Sequence, residues 1–408
     1  MKKSLLLFSF HDISANIRLL HHAKSFASLE NSQVIILAPD ISSMPKEIEK
    51  MINVKHYYLY QFVELPQFML FFLTPIKILY YLLQLFIIMM SLQNFDFIIT
   101  SNEESHILSY FLAKWCHSKL IFDYSSLKWN KYDYKLIFMR RFEEILLKLA
   151  DYHICSTKAI QFILKIRKIN AFVIHDPKNP VFQNTKSIKN AKKDDSSINK
   201  SDNEKFEVYN LIGINQKMDI QIINENGRIF DDSYFLIGIP FPIFSISNLK
   251  SLLTIGKALD KQNAKACFII FVSPKIEKEI TKEISKFHFS HIIFQIFLLN
   301  SDAYAFILRN CDFGIIFNTS HYGLEYSHEL SDLLACKLPI LALKHGCVSE
   351  AVKEGVNGFI FENDIQLAKY LNSILIAKNV DLEKMKDSYN SNHQNWTQEW
   401  EIFFQEFY

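Results

Sequence analysis

Carboxylates crowd one late stretch of this 408-residue chain. In GLEYSHELSDLLACKLPILALKHGCVSEAVKEGVNGFIF, residues 323–361, Glu325, Glu329, Asp332 and Glu350 fall among apolar runs that read as helix, strand, helix and strand. A carboxylate accepts paired hydrogen bonds from vicinal hydroxyls, so one can grip a ribose and another a second sugar. A helix beginning near Ser327 or His328 would leave Glu325 in the loop before it and put Asp332 about a turn inside. The amides that open such a helix, at its positive dipole end, suit a diphosphate. The chemistry on offer is the grip on a nucleotide sugar. A plainer reading stands beside it: acidic residues at a helix start complement the dipole, by about 0.3–1 kcal/mol each.

The elements that must position these groups alternate between strand and helix. SLLLFSF (4–10), SQVIILAP (32–39), FDFIITS (95–101), KLIFDYS (119–125), YHICST (152–157) and AFVIHD (171–176) read as buried strands. An amphipathic helix, IRLLHHAKSFASL (17–29), follows the first of them. YFLIGIP (234–240), ACFIIFVS (266–273), HIIFQIF (291–297), CDFGIIFN (311–318), LPILAL (338–343) and GFIF (358–361) repeat the scheme, with helices expected at 247–260, 274–286, 301–310, 328–336 and 348–354. Such alternation predicts α/β architecture with two Rossmann-like, doubly wound parallel sheets. The chain is too long for one ordinary core, so two domains are expected. We read an N-terminal domain at 1–183 and a polar insertion or linker at 184–232. A C-terminal domain at 233–375 follows, then a tail helix at 376–408 that returns toward the N-terminal domain. Ligands of such sheets bind at the carboxyl ends of the strands, which places a site in a cleft between the two.

Composition narrows the class. A formal charge of +2 argues against nucleic-acid binding by long-range electrostatics. The six cysteines show no metal-ligand spacing and read as reduced, buried thiols. His11, His21, His22, His321 and His328 show none either, so no metal site is expected. Only nine glycines occur, so glycines that a motif would use can be missing for compositional reasons. MKKSLLLFSFHD has too short an apolar run for a secretory signal and reads as a first strand ending at His11 and Asp12. LPQFMLFFLTPIKILYYLLQLFIIMMSLQ (65–93) is apolar for about a transmembrane length. It reads as a surface dipping into a membrane leaflet, as a greasy helix pair packed inside the domain, or as a span. A span would split one sheet across the bilayer.

The carboxylate stretch resembles the donor-binding region of GT-B glycosyltransferases, and more narrowly the chitobiosyldiphosphodolichol β-mannosyltransferase family. That family carries G-L-D-L-P-x-K-V-V-D-x-x-G-C-G-L-P-V, then C-L-H-E-L and N-G-L-V-F. Gly323, Leu324, Glu325, Asp332, Cys336, Leu338, Pro339, Cys347, Glu350, Asn357 and Gly358 fall in register with it. HDISANIRLLHHAKSFA (11–27) is similar to the family's G-D-x-G-R-S-P-R-M-x-x-H-A at Asp12, Arg18, His22 and Ala23. KLIFDYSS (119–126) and VIHDPKNPVF (173–182) resemble K-L-x-x-D-W-H-N and V-L-Y-D-x-P-P-x-x-F, and NWTQEW (395–400) resembles the family's tail.

The resemblance implies transfer of mannose from GDP-mannose to GlcNAc2-diphosphodolichol at the cytosolic face of the endoplasmic reticulum. The membrane surface and other N-glycan assembly enzymes would be its partners. The new linkage is β from an α-linked donor, so the anomeric centre inverts. That requires a base on the acceptor hydroxyl and charge stabilisation on the leaving GDP. By the resemblance, Asp332 holds the ribose and Glu325 the mannose, with Gly323 and Leu324 in the donor loop. Asp12 is the candidate base, and Arg18, with His22, would meet the acceptor's diphosphate. No cofactor is implied, although a divalent cation is compatible with the scheme. The departures concern charge and glycine. Glu329 stands where the family has lysine, VSPK (272–275) where it has G-K-G-P, and Lys337 where it has the second glycine of G-C-G-L-P. Lys275 or Lys337 would then supply the lost positive charge, and Glu350 reads equally as a ligand or as a helix-start charge. An active transferase, a related enzyme using another nucleotide sugar and lipid acceptor, and a degenerate paralogue serving as a scaffold all remain open.

Overall fold

The computed structural model describes residues 3–9, 13, 16–39, 44, 46–60, 76, 79–88, 90, 95–101, 103–125, 145, 147–177, 182, 233–240, 246–298, 301–317, 323–391 and 396–405. Asp12, residues 65–75 of the apolar segment and the polar stretch 184–232 lie outside them. The chain divides into two compact units, 1–177 with 394–408, and 178–393.

The first unit holds β1 (Lys3–Phe8), β2 (Ser32–Pro39), β3 (Val54–Leu59), β4 (Phe97–Thr100), β5 (Lys119–Tyr124), β6 (Tyr152–Cys155) and β7 (Phe172–Val173). Its helices are α1 (Ile17–Ala27), α2 (Lys46–Glu49), α3 (79–88), α4 (Glu103–Cys116) and α5 (Lys158–Ile166). The second unit holds β8 (Phe235–Ile239), β9 (Ala266–Val272), β10 (Ile292–Leu298), β11 (Phe313–Ile316), β12 (Ile340–Leu343) and β13 (Gly358–Phe361). Its helices are α6 (Ile246–Asp260), α7 (Glu277–Ile284), α8 (Ser301–Arg309), α9 (His328–Ala335), α10 (Val348–Ala351), α11 (Asp364–Leu375) and α12 (Leu382–Ser391). A last helix, α13 (Trp396–Gln405), belongs to the first unit.

The strand orders are β3-β2-β1-β4-β5-β6-β7 and β10-β9-β8-β11-β12-β13. Every pairing is parallel. Parallel sheets are covered on both faces, so their strands can be apolar throughout. In β9, Ala266, Phe268, Ile270 and Val272 enter one core while Cys267, Ile269 and Phe271 enter the other. Strand order reverses direction beside β1 and β4 in the first sheet, and beside β8 and β11 in the second. A crevice opens at such a point, outside the carboxyl ends.

β3 was not expected from sequence. It is an edge strand carrying exposed Tyr58, so it lacks the continuous apolar run that marked the others. The tail also divides. Tyr389 of α12 donates its hydroxyl to the Leu338 carbonyl of the second unit at 2.7 Å. In contrast, Trp396, Trp400, Phe403 and Phe404 of α13 complete the core of the first.

Candidate functional site

In the second unit the site is built where β11 and β12 deliver two loops side by side. Ser327 caps α9 by accepting from the Leu330 amide at 3.2 Å, which starts the helix at His328 and leaves Glu325 in the loop. Gly323 lies in that loop with φ of +68°, a backbone that suits glycine. The loop is stitched to the turn after β12. The Cys347 amide donates to the Gly323 carbonyl at 3.0 Å, and the Cys347 thiol donates to the Glu325 carbonyl at 3.0 Å. Gly346 makes the approach possible, since a Cβ there would lie 2.7 Å from the Gly323 oxygen.

Glu329 and Asp332 are three residues apart, hence on one face of α9, with 4% and 8% of their surface exposed. Glu329 therefore does not turn out to solvent. It lies in the first turn, where the helix dipole favours it. Asp332 is held by Tyr304 of α8, whose hydroxyl donates to Oδ2 at 2.6 Å. Glu325 and Leu324 are half-buried in the loop, and Glu350 occupies the first turn of α10, also half-buried. His345 sits at the loop crossing. Burial lowers its pKa, and its Nε2 has no hydrogen-bond partner.

The two lysines sit elsewhere. Lys337 lies just past the C-terminal end of α9, exposed and with φ of +57°. At about 1.5 Å per residue it is more than 10 Å along the helix from its start. It holds the left-handed conformation in which helices commonly end on glycine, which accounts for the family's glycine there. Lys275 is exposed on the turn after β9. Lys337 is at the far end of α9 from Glu329.

In the first unit, Arg18 reaches from the first turn of α1 to the carboxyl ends of β5 and β7. Its Nε donates to Asp123 Oδ2 at 2.7 Å, and Nη1 donates to the Ile174 carbonyl at 2.7 Å and to Asp176 at 3.0 Å. Trp400 of α13 donates its indole N–H to His22 Nδ1 at 3.1 Å. That fixes the proton of neutral His22 on Nε2, which donates to the same Asp123 oxygen at 3.0 Å. His22 is fully buried with both ring nitrogens engaged inside the protein, so its part is to orient Asp123. Arg18 is likewise buried and already shared between two carboxylates and a carbonyl. Only its Nη2, with Asp123 Oδ1, lacks a partner.

The electrostatics agree with the pairing of Arg18 and Asp123, whereas burial raises the Asp176 carboxyl despite Arg18. Burial alone would raise the Asp123 pKa, but Arg18 and then His22 bring it down to about 2. Burial keeps His22 below its ordinary value despite the Asp123 carboxylate. Glu399 of α13 accepts from the His175 amide at 2.8 Å and meets its Nδ1 at 2.7 Å, next to Asp176. Asp123, Asp176 and Trp400 were each inside a stretch that resembles the family, yet their roles emerge only from this network. Tyr304 had no sequence signal. Among the described residues, no group of three His, Cys, Asp or Glu side chains is placed to hold a metal.

No profile of a known family matches the chain. A chitobiosyldiphosphodolichol beta-mannosyltransferase of Kluyveromyces lactis is 24% identical over 98% of this chain and 88% of its own length. The similarity to that protein runs over nearly the whole of this chain. The human protein of the same name is 31% identical over 26% of this chain and 22% of its own. An Arabidopsis thaliana protein named UDP-glycosyltransferase TURAN is 32% identical over 23% of this chain and 21% of its own. Among solved structures, a glycosyltransferase from Rickettsia africae superposes with a TM-score of 0.62 at 16% identity, covering 99% of this chain and 98% of that one. An Anabaena protein solved with UDP gives 0.61 at 14% identity, covering 100% and 99%. The fold is GT-B, with two Rossmann-like domains. The family's lysine-to-glutamate departure at Glu329 is thus a buried carboxylate beside Asp332.

Proposed function

We propose that the chain is an inverting hexosyltransferase, which moves mannose from GDP-mannose to the chitobiose of a diphosphodolichol at the cytosolic face of the endoplasmic reticulum. The observation that carries this reading is the pair Glu325 and Asp332 on either side of the capped start of α9, beyond the carboxyl end of β11. The names of the relatives supply the acceptor and the sugar. In this reading Asp332, oriented by Tyr304, accepts from the ribose hydroxyls, Glu325 accepts from mannose hydroxyls, and the opening turn of α9 faces the diphosphate. The acceptor hydroxyl oxygen attacks the mannose anomeric carbon from the face opposite GDP. The new C–O bond forms as the bond to the diphosphate breaks, GDP leaves with that electron pair, and the hydroxyl proton passes to a base, for which Asp12 is the candidate. The Arg18–Asp123–His22 network ties α1 to the carboxyl ends of β5 and β7 in the first unit.

The buried Glu329 favours a second reading, a non-catalytic paralogue, because a carboxylate near the donor phosphates opposes their charge. Calorimetry of GDP and GDP-mannose binding separates the two, with UDP and UDP-glucose alongside. We expect GDP-mannose binding by the wild type and a loss of at least about tenfold in Asp332→Ala, as a lost charged hydrogen bond implies. Folded wild-type protein that binds none of the four would establish the scaffold reading. Preference for the UDP ligands would instead change the donor.

A further inference from the structure

The crossing between the loop before α9 and the turn after β12 is closed by few contacts. The Cys347 amide and thiol hold the Gly323 and Glu325 carbonyls, each at 3.0 Å, and the His345 ring lies against the Gly323 backbone. Gly346 lets the two segments approach, because a Cβ there would lie 2.7 Å from the Gly323 oxygen. His345 is half-buried, and its Nδ1 lies 3.7 Å from Cys347 Sγ. Its Nε2 is enclosed and has no hydrogen-bond partner among the described residues. In the neutral ring that nitrogen carries only a lone pair, and leaving it bare is a small penalty. Protonation would put a donor and a positive charge at the same enclosed spot with no acceptor for them, a far larger one. The ring takes a proton readily only after it has left the crossing.

From this geometry we infer that His345 is a positioning residue with a proton switch: neutral, it keeps the crossing closed and Glu325 in place; protonated, it leaves and the crossing opens. What Glu325 does for a nucleotide sugar rests on the proposed transferase function, whereas the switch itself does not. The family resemblance assigns nothing to this residue, since the matched positions pass from Pro339 to Cys347. Burial lowers the His345 pKa, and the Gly323 carbonyl works against that. The other titratable groups of the segments that meet there are Glu325, His328 and Glu329 on one side, and Lys344, Cys347 and Glu350 on the other. Lys344 pairs with Glu362, and the Cys347 thiol donates to the Glu325 carbonyl. A free imidazole titrates near 6.5 and the enclosed one lower. Opening is therefore favoured as pH falls below about 6.5, by up to about tenfold per pH unit.

Thiol labelling with 4,4′-dithiodipyridine tests it, because Cys347 is buried and its thiol is held inside the closed crossing. The labelling rate of the Cys347 peptide is read by mass spectrometry and divided by that of glutathione at the same pH, which removes the thiol's own titration. Between pH 8 and pH 5.5 this ratio should rise at least about fivefold in the wild type. It should stay level in His345→Asn and in His345→Gln, neither of which takes a proton in this range. Cys267, enclosed in the core of the same unit, should stay unlabelled throughout. A level wild-type ratio overturns the proposal, as does the same rise in both variants. Labelling of Cys267 in step with Cys347 overturns it too, because the unit would then be unfolding as a whole. Added GDP-mannose separates the switch from the transferase reading: by occupying the closed loop it should slow Cys347 labelling in the wild type at both pH values. An acid-dependent rise that GDP-mannose does not slow leaves the switch standing and counts against the donor site.

Discussion

Asp332 is held by a phenol rather than by solvent. The 2.6 Å bond from Tyr304 restrains the carboxylate before any ligand arrives and partly satisfies a group with 8% exposure. Tyr304→Phe should therefore cost about 1–3 kcal/mol in urea denaturation, the range for a buried charged group that loses a partner. In the transferase reading it should also weaken GDP-mannose binding, by less than Asp332→Ala does. Equal stability in the phenylalanine variant would mean that the phenol contributes nothing net. Glu329 illustrates how a residue reading depends on burial. From spacing alone it is a solvated helix-start acid, but it is almost wholly enclosed, on the same face as Asp332.

The returning helix α13 decides how far the first unit can be separated from the rest of the chain. Trp400 stacks on Phe404 at 4.1 Å, packs against Phe26, and donates to His22. Removing this side chain both opens a cavity and leaves a buried nitrogen without its donor. Trp400→Ala should destabilise the protein by about 3–5 kcal/mol. Trp400→Phe keeps most of the packing and isolates the indole bond, at about 1–3 kcal/mol. Denaturant unfolding of the two variants beside the wild type measures both terms. Equal losses would show that packing plays little part. The same helix bonds His175 through Glu399, so α13 restrains both α1 and the segment after β7.

Across the molecule, buried histidines make stability depend on pH. Burial pushes His153 down to about 4, with His106 adding to the shift, and pushes His21 to about 4, with Lys24 adding. Both lie below the ordinary value of about 6.5, so between those limits the unfolded chain binds more protons than the folded one. Their contribution is present above about pH 6.5 and is lost as pH falls toward 4. Asp123 acts lower: its depressed pKa stabilises the fold above about pH 4 and that contribution is lost on further acidification toward 2. The thermal midpoint should fall by at least about 5 °C between pH 7.5 and pH 5. His153→Gln should flatten the profile if it folds, and a midpoint unchanged over that interval in the wild type would contradict the assignment.

The sequence by itself determined the two parallel sheets and the start of α9. Strands buried on both faces must be apolar throughout, and a capping serine before an apolar-periodic run marks a helix start, so both signals are local. The edge strand β3 escaped because its exposed side needs no apolar residues. Tertiary structure alone decided which side chains meet. Tyr304 and Asp332 are 28 residues apart, Arg18 and Asp123 are 105, and His22 and Trp400 are 378. It also decided that Arg18 and His22, which read as ligands of a diphosphate, are enclosed in a protein network. Residue type announces what a group can bond to. Burial and proximity, set by long-range packing, determine what it does bond to.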